Sequence, residues 1–265
     1  MHVFDLDISL EEQEPFLFLA NLSDHWSVNG FPNGGYLMAL LANAMRQKSE
    51  KKFTLIITAN YISRCSPGNA HVMVEAISQS TQFDRLEAKL MQGGKERIRA
   101  IGTFANWNHG QTEKRYETSE PKISPITACI PIPRQANYSL FQQLDIRLDP
   151  ACAGWLEDKL AEKSEQKGWV KFREDRPFDM LSVLLAADSF PPPVLASHGR
   201  IAWLPTIEYS VNMRNIPQSI WLICVFRTRF IHDGILESDG EIWEEGGELV
   251  SISRQIAQLK KTDSS

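Results

Sequence analysis

Residues 56–67 read IITANYISRCSP and residues 206–217 read TIEYSVNMRNIP. Sliding one onto the other by 150 positions sets Arg64 on Arg214 and Pro67 on Pro217. Upstream, LMALLANA (37–44) matches LSVLLAAD (181–188) at an offset of 144, and downstream ERIRAIGT (96–103) matches ELVSISRQ (248–255) at 152. The offset drifts only as small loop insertions would make it drift. A period this long is not that of a solenoid; it denotes two copies of one small domain in a single chain. In this alignment the copies differ in polarity: Ala44 faces Asp188, Ile56 faces Thr206, and Thr103 faces Gln255. One copy holds apolar or small residues where the other holds a carboxylate, a hydroxyl and an amide, which points to one chemical site per chain.

Within each copy the pattern is one helix followed by strands. YLMALLANAMRQK carries apolar residues at 37, 40, 41, 44 and 45, the spacing of a helical face. Its other positions are mostly apolar too, so the helix is expected to be buried on nearly every side. TLIITANYIS and HVMVEAISQST read as strands, and RLEAKLMQGGKERIRAIGTFA as a hairpin turned at Gly93-Gly94. In the second copy FDMLSVLLAADSF is the buried helix, stopped by the prolines 191–193. FQQLDIRLD and GWVKFRED are strand candidates around a polar helical segment, GWLEDKLAEKSEQKG, and turns are expected at Asp239-Gly240 and Gly246-Gly247. A helix wrapped by an antiparallel sheet, twice over, defines an α+β class. The expected division is an N-terminal repeat over 1–115, a connector over 116–136 and a C-terminal repeat over 137–265 carrying the polar residues. The tail KKTDSS is expected to fray.

The bulk numbers exclude several classes. The net charge of -5 gives no basic footprint for nucleic acid. No run approaches the ~20 apolar residues that span a bilayer. The acidic N-terminus, MHVFDLDISLEEQEP, lacks the pattern of a signal peptide, so a cytoplasmic protein is expected. Cys65, Cys129, Cys152 and Cys224 show no CxxC spacing and read as free, buried thiols. His25, His71, His109, His198 and His232 show no paired spacing, so no metal site is expected. Trp26, Trp203, Trp221 and Trp243 read as packing residues. GxxxxGK, GxGxxG, HExxH and GxSxG are all missing, against nucleotide hydrolysis, dinucleotide redox chemistry, zinc proteolysis and serine-esterase chemistry.

Asp188 ends a helix that otherwise reads LLAA. A carboxylate buried there is expensive unless hydrogen-bonded or functional, and desolvation is what makes such a group a general base. A helix-end cap or a structural ion pair is the competing reading. Thr206 opens a strand after Pro205, and Gln255 lies in an alternating strand; both could orient water, and both are ordinary strand residues as well. Asn33-Gly34-Gly35 precedes the first buried helix, where free N–H groups form an anion or oxyanion site or a simple capped turn. Arg64 and Arg214, each ending a repeat strand, could meet ligand phosphates or form ion pairs.

WSVNGFPNGGYLMALLANA (26–44), FDMLSVLLAADSFPP (178–192), PTIEYSVNMR (205–214) and LVSISRQIAQ (249–258) stand in one order and spacing along nearly the whole chain. In this the chain resembles the acyl-CoA thioesterase II (TesB-like) family of double hotdog proteins. The resemblance implies a tandem hotdog that hydrolyses acyl-CoA without metal or cofactor. It implies that Asp188, Thr206 and Gln255 hold the attacking water and that an N–H near Gly35 faces the thioester oxygen. It implies acyl-CoA as the partner; a homo-oligomer, with a dimer as the first guess, is expected from the open edges of hotdog sheets. A hotdog hydratase or dehydratase is the nearest enzymatic alternative, although such enzymes set an Asp beside a His and His198 is ten residues from Asp188. A non-catalytic acyl-CoA binder is the alternative of another class.

Overall fold

The computed structural model describes residues 1–106, 113–200 and 204–259. His109, Trp203 and the tail 260–265 lie outside the described residues. In chain order the elements are α1 (Val3–Asp7), β1 (Glu11–Glu14), β2 (Leu17–Leu22), the small ribbon β3 (Ser27–Val28) and β4 (Phe31–Pro32), α2 (Gly34–Lys48), β5 (Phe53–Tyr61), β6 (Gly68–Gln79), β7 (Phe83–Gln92) and β8 (Lys95–Ala105). The second half continues with β9 (Ile130–Pro131), α3 (Leu140–Gln143), β10 (Leu144–Leu148), β11 (Glu165–Phe172), α4 (Met180–Ala187), α5 (Val194–His198), β12 (Thr206–Met213), β13 (Leu222–Arg227), β14 (Ile231–His232), β15 (Ile235–Glu244) and β16 (Glu248–Gln258).

Apart from the ribbon, the strands form one antiparallel sheet in the order β1-β2-β6-β7-β8-β5-β12-β16-β15-β13-β11-β10-β9, with β14 against β15. The two halves meet at β5 and β12, where Thr58 and Ser210 face each other and their hydroxyls lie 2.9 Å apart. This is the tandem hotdog, with each half of the sheet curved around a helix. The curvature sets α2 against α4. From Gly35 to Ala42 every residue of α2 is buried, as is every residue of α4 from Leu181 to Ala187. Burying each Leu or Met side chain contributes roughly 1.5–3 kcal/mol, so helices that are apolar all round hold the two halves together.

Polar groups fix the helix ends. Asp84 of β7 accepts from Ser49 Oγ at 2.8 Å and Lys51 Nζ at 2.9 Å just beyond α2. At the start of α4, Asp179 and Ser182 form a capping box. Arg176, 8% exposed, binds Asp179, Asp5 and Ser182 and lies over the rings of Phe4 and Phe172.

Three local expectations are corrected. The polar segment 154–168 is a single 3₁₀ turn over Gly154–Glu157, ended by Asp158 in the left-handed region, and then strand β11. Asp239-Gly240 is no turn: both residues lie inside β15, and the hairpin turns instead at Asp233-Gly234, where φ is 48° and 75°. Gly240 makes room in the core, since a Cβ there would stand 2.3 Å from Ser253 Oγ and 2.6 Å from the Phe226 ring. Gly93-Gly94 does turn its hairpin, with φ of 60° and 70°. The stretch 116–136 also contains β9, which pairs with β10, so its later part belongs to the C-terminal sheet.

The repeat register is corrected as well. The β5–β8 ladder slips between Thr54 and Ile56, and the β12–β16 ladder slips between Thr206 and Glu208. At the other end, the amides of Ile62 and Ser63 both bond Arg97 O, and those of Arg214 and Asn215 both bond Val250 O. The structural offset is therefore 152 for the first strand and 153 for the last. Thr206 corresponds to Thr54, Gln255 to Gly102, and Arg214 to Ile62 rather than Arg64.

Candidate active site

The helix packing brings the C-terminal end of α4 against the N-terminal end of α2. Gly35 makes this possible: a Cβ there would lie 2.5 Å from Leu184 O and 2.8 Å from Asp188 Cβ. At Gly34 a Cβ would lie 2.9 Å from Asp188 Oδ2. The two glycines thus admit the other half of the chain.

Asp188 is the C-cap of α4, and its carboxylate is gripped by both halves. Oδ2 accepts from Gly35 N at 3.0 Å and from Asn33 Nδ2 at 2.9 Å, and the same Asn33 amide reaches Asp188 O at 2.8 Å. Asn33 is also the N-cap of α2, its Oδ1 accepting from Tyr36 N at 3.1 Å. On the other side, Gln255 Nε2 donates to Asp188 Oδ1 at 3.0 Å and to Thr206 Oγ1 at 2.7 Å. Both protons of that amide are then committed, so the Thr206 hydroxyl has its own proton to give elsewhere. Two phenols, the partly buried Tyr61 and the buried Tyr209, hold the backbone of this junction. Tyr61 donates to Gly34 O at 2.8 Å, and Tyr209 donates to Ala187 O.

Burial raises the Asp188 carboxyl to about 6, against the Gly35 N–H, Gln255 and Asn33, which favour the charged form. The positive pole of α2 acts in the same direction as those donors. Burial and the Asp188 charge together push the Tyr61 phenol well above its ordinary range, so it remains a donor.

The cluster lies in the wall of a cavity of about 540 Å³ at the junction of the halves. Asp188, Thr206 and Gln255 line it, as do Asn33, Gly34 and Arg64. Aromatic and aliphatic side chains make most of the rest, among them Phe31, Tyr138, Phe141, Trp155, Phe190 and Phe226. Arg64 stacks over the Phe31 ring at 4.8 Å, and Arg200 is a second cation on the lining. Arg214 is exposed, bonds Met213 O and is not part of the lining. The expected pairing of Arg64 with Arg214 fails because strand register sets them two positions apart.

Among the described residues the first half has no second cluster of this kind. Gln255 corresponds there to Gly102, where a Cβ would lie 2.7 Å from Phe104 and 3.0 Å from Ile57 and Met45. Among the described residues no group of three His, Cys, Asp or Glu side chains could hold a metal ion, all four cysteines are buried and free, and no helix is long and apolar enough to cross a membrane. Sequence reasoning missed the grip of Asn33 on Asp188, both tyrosine anchors and Ser238 of the lining. The tyrosines sit within the repeat strands, which is the one signal that marks them.

The chain is thus a double hotdog with a carboxylate–amide–hydroxyl cluster at the junction of its halves. The family models agree: residues 22–105 match the acyl-CoA thioesterase N-terminal domain and residues 126–259 the acyl-CoA thioesterase C-terminal domain. The chain belongs to the acyl-CoA thioesterase family and is a thioesterase. Its fold is similar to that of a thioesterase II from Thermobifida fusca, at a TM-score of 0.90 and 22% identity over 98% of both chains. It is also similar to a hot dog protein of unknown function from Alicyclobacillus acidocaldarius, at a TM-score of 0.89 and 19% identity over 99% of both. An acyl-CoA thioesterase II from Mycobacterium marinum aligns at 0.80 and 15% identity over 99% of this chain and 100% of its own.

Proposed function

We propose that this chain hydrolyses acyl-CoA to a free acid and CoA with a water held by Asp188, Thr206 and Gln255. The observation that carries this reading is the Gln255 amide bridging Asp188 Oδ1 and Thr206 Oγ1 in the cavity wall. A water beside that bridge donates to Asp188 Oδ1 and accepts from the Thr206 hydroxyl, leaving a lone pair for the thioester carbon. Attack breaks the carbonyl π bond, and Asp188 takes the water proton. Collapse of the tetrahedral intermediate expels the CoA thiolate, which needs no strong acid to leave. A carboxyl near 6 is ionised at neutral pH yet more basic than a free aspartate, as a general base requires.

The Gly35 N–H, an expected donor to the thioester oxygen, is engaged by Asp188 instead. Its part is then to hold the base. Arg64 and Arg200 at the lining are placed to meet the anionic carrier, while the apolar rings receive the acyl chain. No histidine lines the cavity among the described residues, which leaves the hydratase reading without its second acid–base group. We also assign the chain to the cytoplasm and to a homo-oligomer, on the sequence arguments above. Thiol release from acyl-CoA esters of two to sixteen carbons, measured for wild type and Asp188→Asn, tests the mechanism. Turnover that collapses in the variant supports it; equal rates refute it.

A further inference from the structure

The outward positions of β10 and β11 gather cations. Along β11 Gln166, Gly168, Val170 and Phe172 are buried, which turns Lys171 to the outer face of the sheet. Arg173 extends this ladder, its amide bonding Gln143 O at 2.9 Å. Arg147 of β10 shares the outer face, and Arg134 lies three residues beyond Pro131, which pairs with Arg147. Two of the four are held against one ring: Arg147 Cζ lies 5.3 Å and Lys171 Nζ 5.5 Å from the centre of Trp221. Asp145 anchors Arg147, with Nη2 3.0 Å from Oδ2. Arg173 donates its Nε–H to Phe141 O at 3.1 Å, which fixes the guanidinium plane.

Among the described residues Arg134, Lys171 and Arg173 form no ion pair with a carboxylate. Asp145 is the carboxylate that engages this group, so four cations stand against one anion in a chain whose net charge is -5. Glu174 and Asp175, next along the chain, are exposed, and Glu174 approaches His2 Nε2 at 3.9 Å instead. Burial, the Arg134 charge and the Arg147 charge all disfavour the Arg173 cation, and Asp145 offsets only part of this. Like charges held together in this way are relieved by an arriving anion. A guanidinium fork matches two phosphate oxygens at once, and a lysine adds a point charge.

We propose that Arg134, Arg147, Lys171 and Arg173 form a phosphate-binding site on the outer face of the C-terminal half, apart from the catalytic cavity. None of the four lines that cavity, although Pro133, Gln135 and Phe141 beside them do. The site therefore borders the rim. It takes a phosphate from one of two sources, the carrier of a bound thioester or a separate phosphorylated ligand. Phosphate binding itself does not depend on hydrolase activity.

Calorimetric titration of the full chain with inorganic pyrophosphate at low ionic strength should show saturable binding, weakened about tenfold or more in Arg134→Gln/Arg173→Gln. Arg200→Gln, a change at the cavity lining, should leave that affinity within about twofold of wild type. KM for a CoA ester and for the same acyl group on phosphate-free pantetheine then separates the sources. A rise of about tenfold for the CoA ester alone assigns the phosphate to the carrier. Unchanged KM for both esters, with pyrophosphate binding lost, assigns it to a separate ligand. If the double variant does not fold, as read by Tm, Arg134→Gln/Lys171→Gln replaces it with the same criterion. No saturable binding by wild type, equal affinity in a folded double variant, or a loss that follows Arg200→Gln instead overturns the proposal. If no ester is hydrolysed, the hydrolase reading falls by itself, and the titration alone judges the phosphate site.

Discussion

Gly35→Ala adds one methyl group where α2 and α4 touch. That carbon would stand 2.5 Å from Leu184 O, 2.8 Å from Asp188 Cβ and 3.1 Å from Leu185 Cα. Real contacts of this kind essentially never fall under 3.0 Å, so the α4 end must retreat by at least about 0.5 Å. The nearest obstacle is backbone, so no rotamer change relieves it. Overpacking of this sort costs about 1–3 kcal/mol, and in a chain of this size each kcal/mol lowers Tm by roughly 2–4 °C. The functional effect is larger than the stability effect. The retreat carries Asp188 away from Gly35 N and out of line with Gln255, and a displacement approaching 1 Å at a catalytic group costs on the order of 10²-fold. Thiol release and Tm measured together should show kcat reduced by about 10- to 100-fold, with KM changed far less. A variant with wild-type kcat and Tm would refute the reasoning that these glycines exist to seat Asp188.

Three further outcomes follow from the same geometry. Acidification should abolish hydrolysis as a single group near pH 6 takes a proton, because the Asp188 carboxyl is raised to about 6; a kcat/KM profile flat down to pH 5 would contradict this. The sign for stability is the reverse: a carboxyl raised from 3.8 contributes most below pH 4, and that contribution is lost as pH rises through 6. Gln255→Ala removes a donor that favours the charged carboxylate, so the acid limb should move above 6 while kcat falls by roughly 10²-fold; an unmoved limb would exclude the bridge. Asn33→Ala deletes the α2 N-cap and one grip on Asp188, at about 1 kcal/mol of stability, together with an upward shift of the same limb. Loss of Tm alone would make Asn33 merely a cap.

The duplication, the two apolar helices, the Gly93-Gly94 hairpin and Asp188 as a carboxylate at the end of an apolar helix were legible in the chain, because each leaves a local mark, whereas Thr206 and Gln255 read locally as ordinary strand residues and stood out only through the family resemblance and an alignment that strand register shifts. Apolar residues at helical spacing, alternation along strands, and a carboxylate ending a run of Leu and Ala follow from backbone periodicity alone. The Asp239-Gly240 pair shows where local marks mislead: turn chemistry was present, but the glycine was needed to admit Phe226 and Ser253.

Strand register was decided only in three dimensions. In the first repeat strand the shift is two residues, which keeps every side chain on its face of the sheet, so the hydrophobic pattern cannot detect it; pairing alone matches Arg214 to Ile62, and a one-residue shift in the last strand moves the partner of Gln255 from Thr103 to Gly102. Asn33 and Asp188 are 155 positions apart, and only helix packing makes them partners. The Gly-Gly pair read as an opening for a ligand, and tertiary structure filled it with Asp188. The sequence by itself determined what could be buried and which groups were chemically able. Which of them meet depended on two helices approaching to within a missing methyl group, a distance that no local spacing encodes.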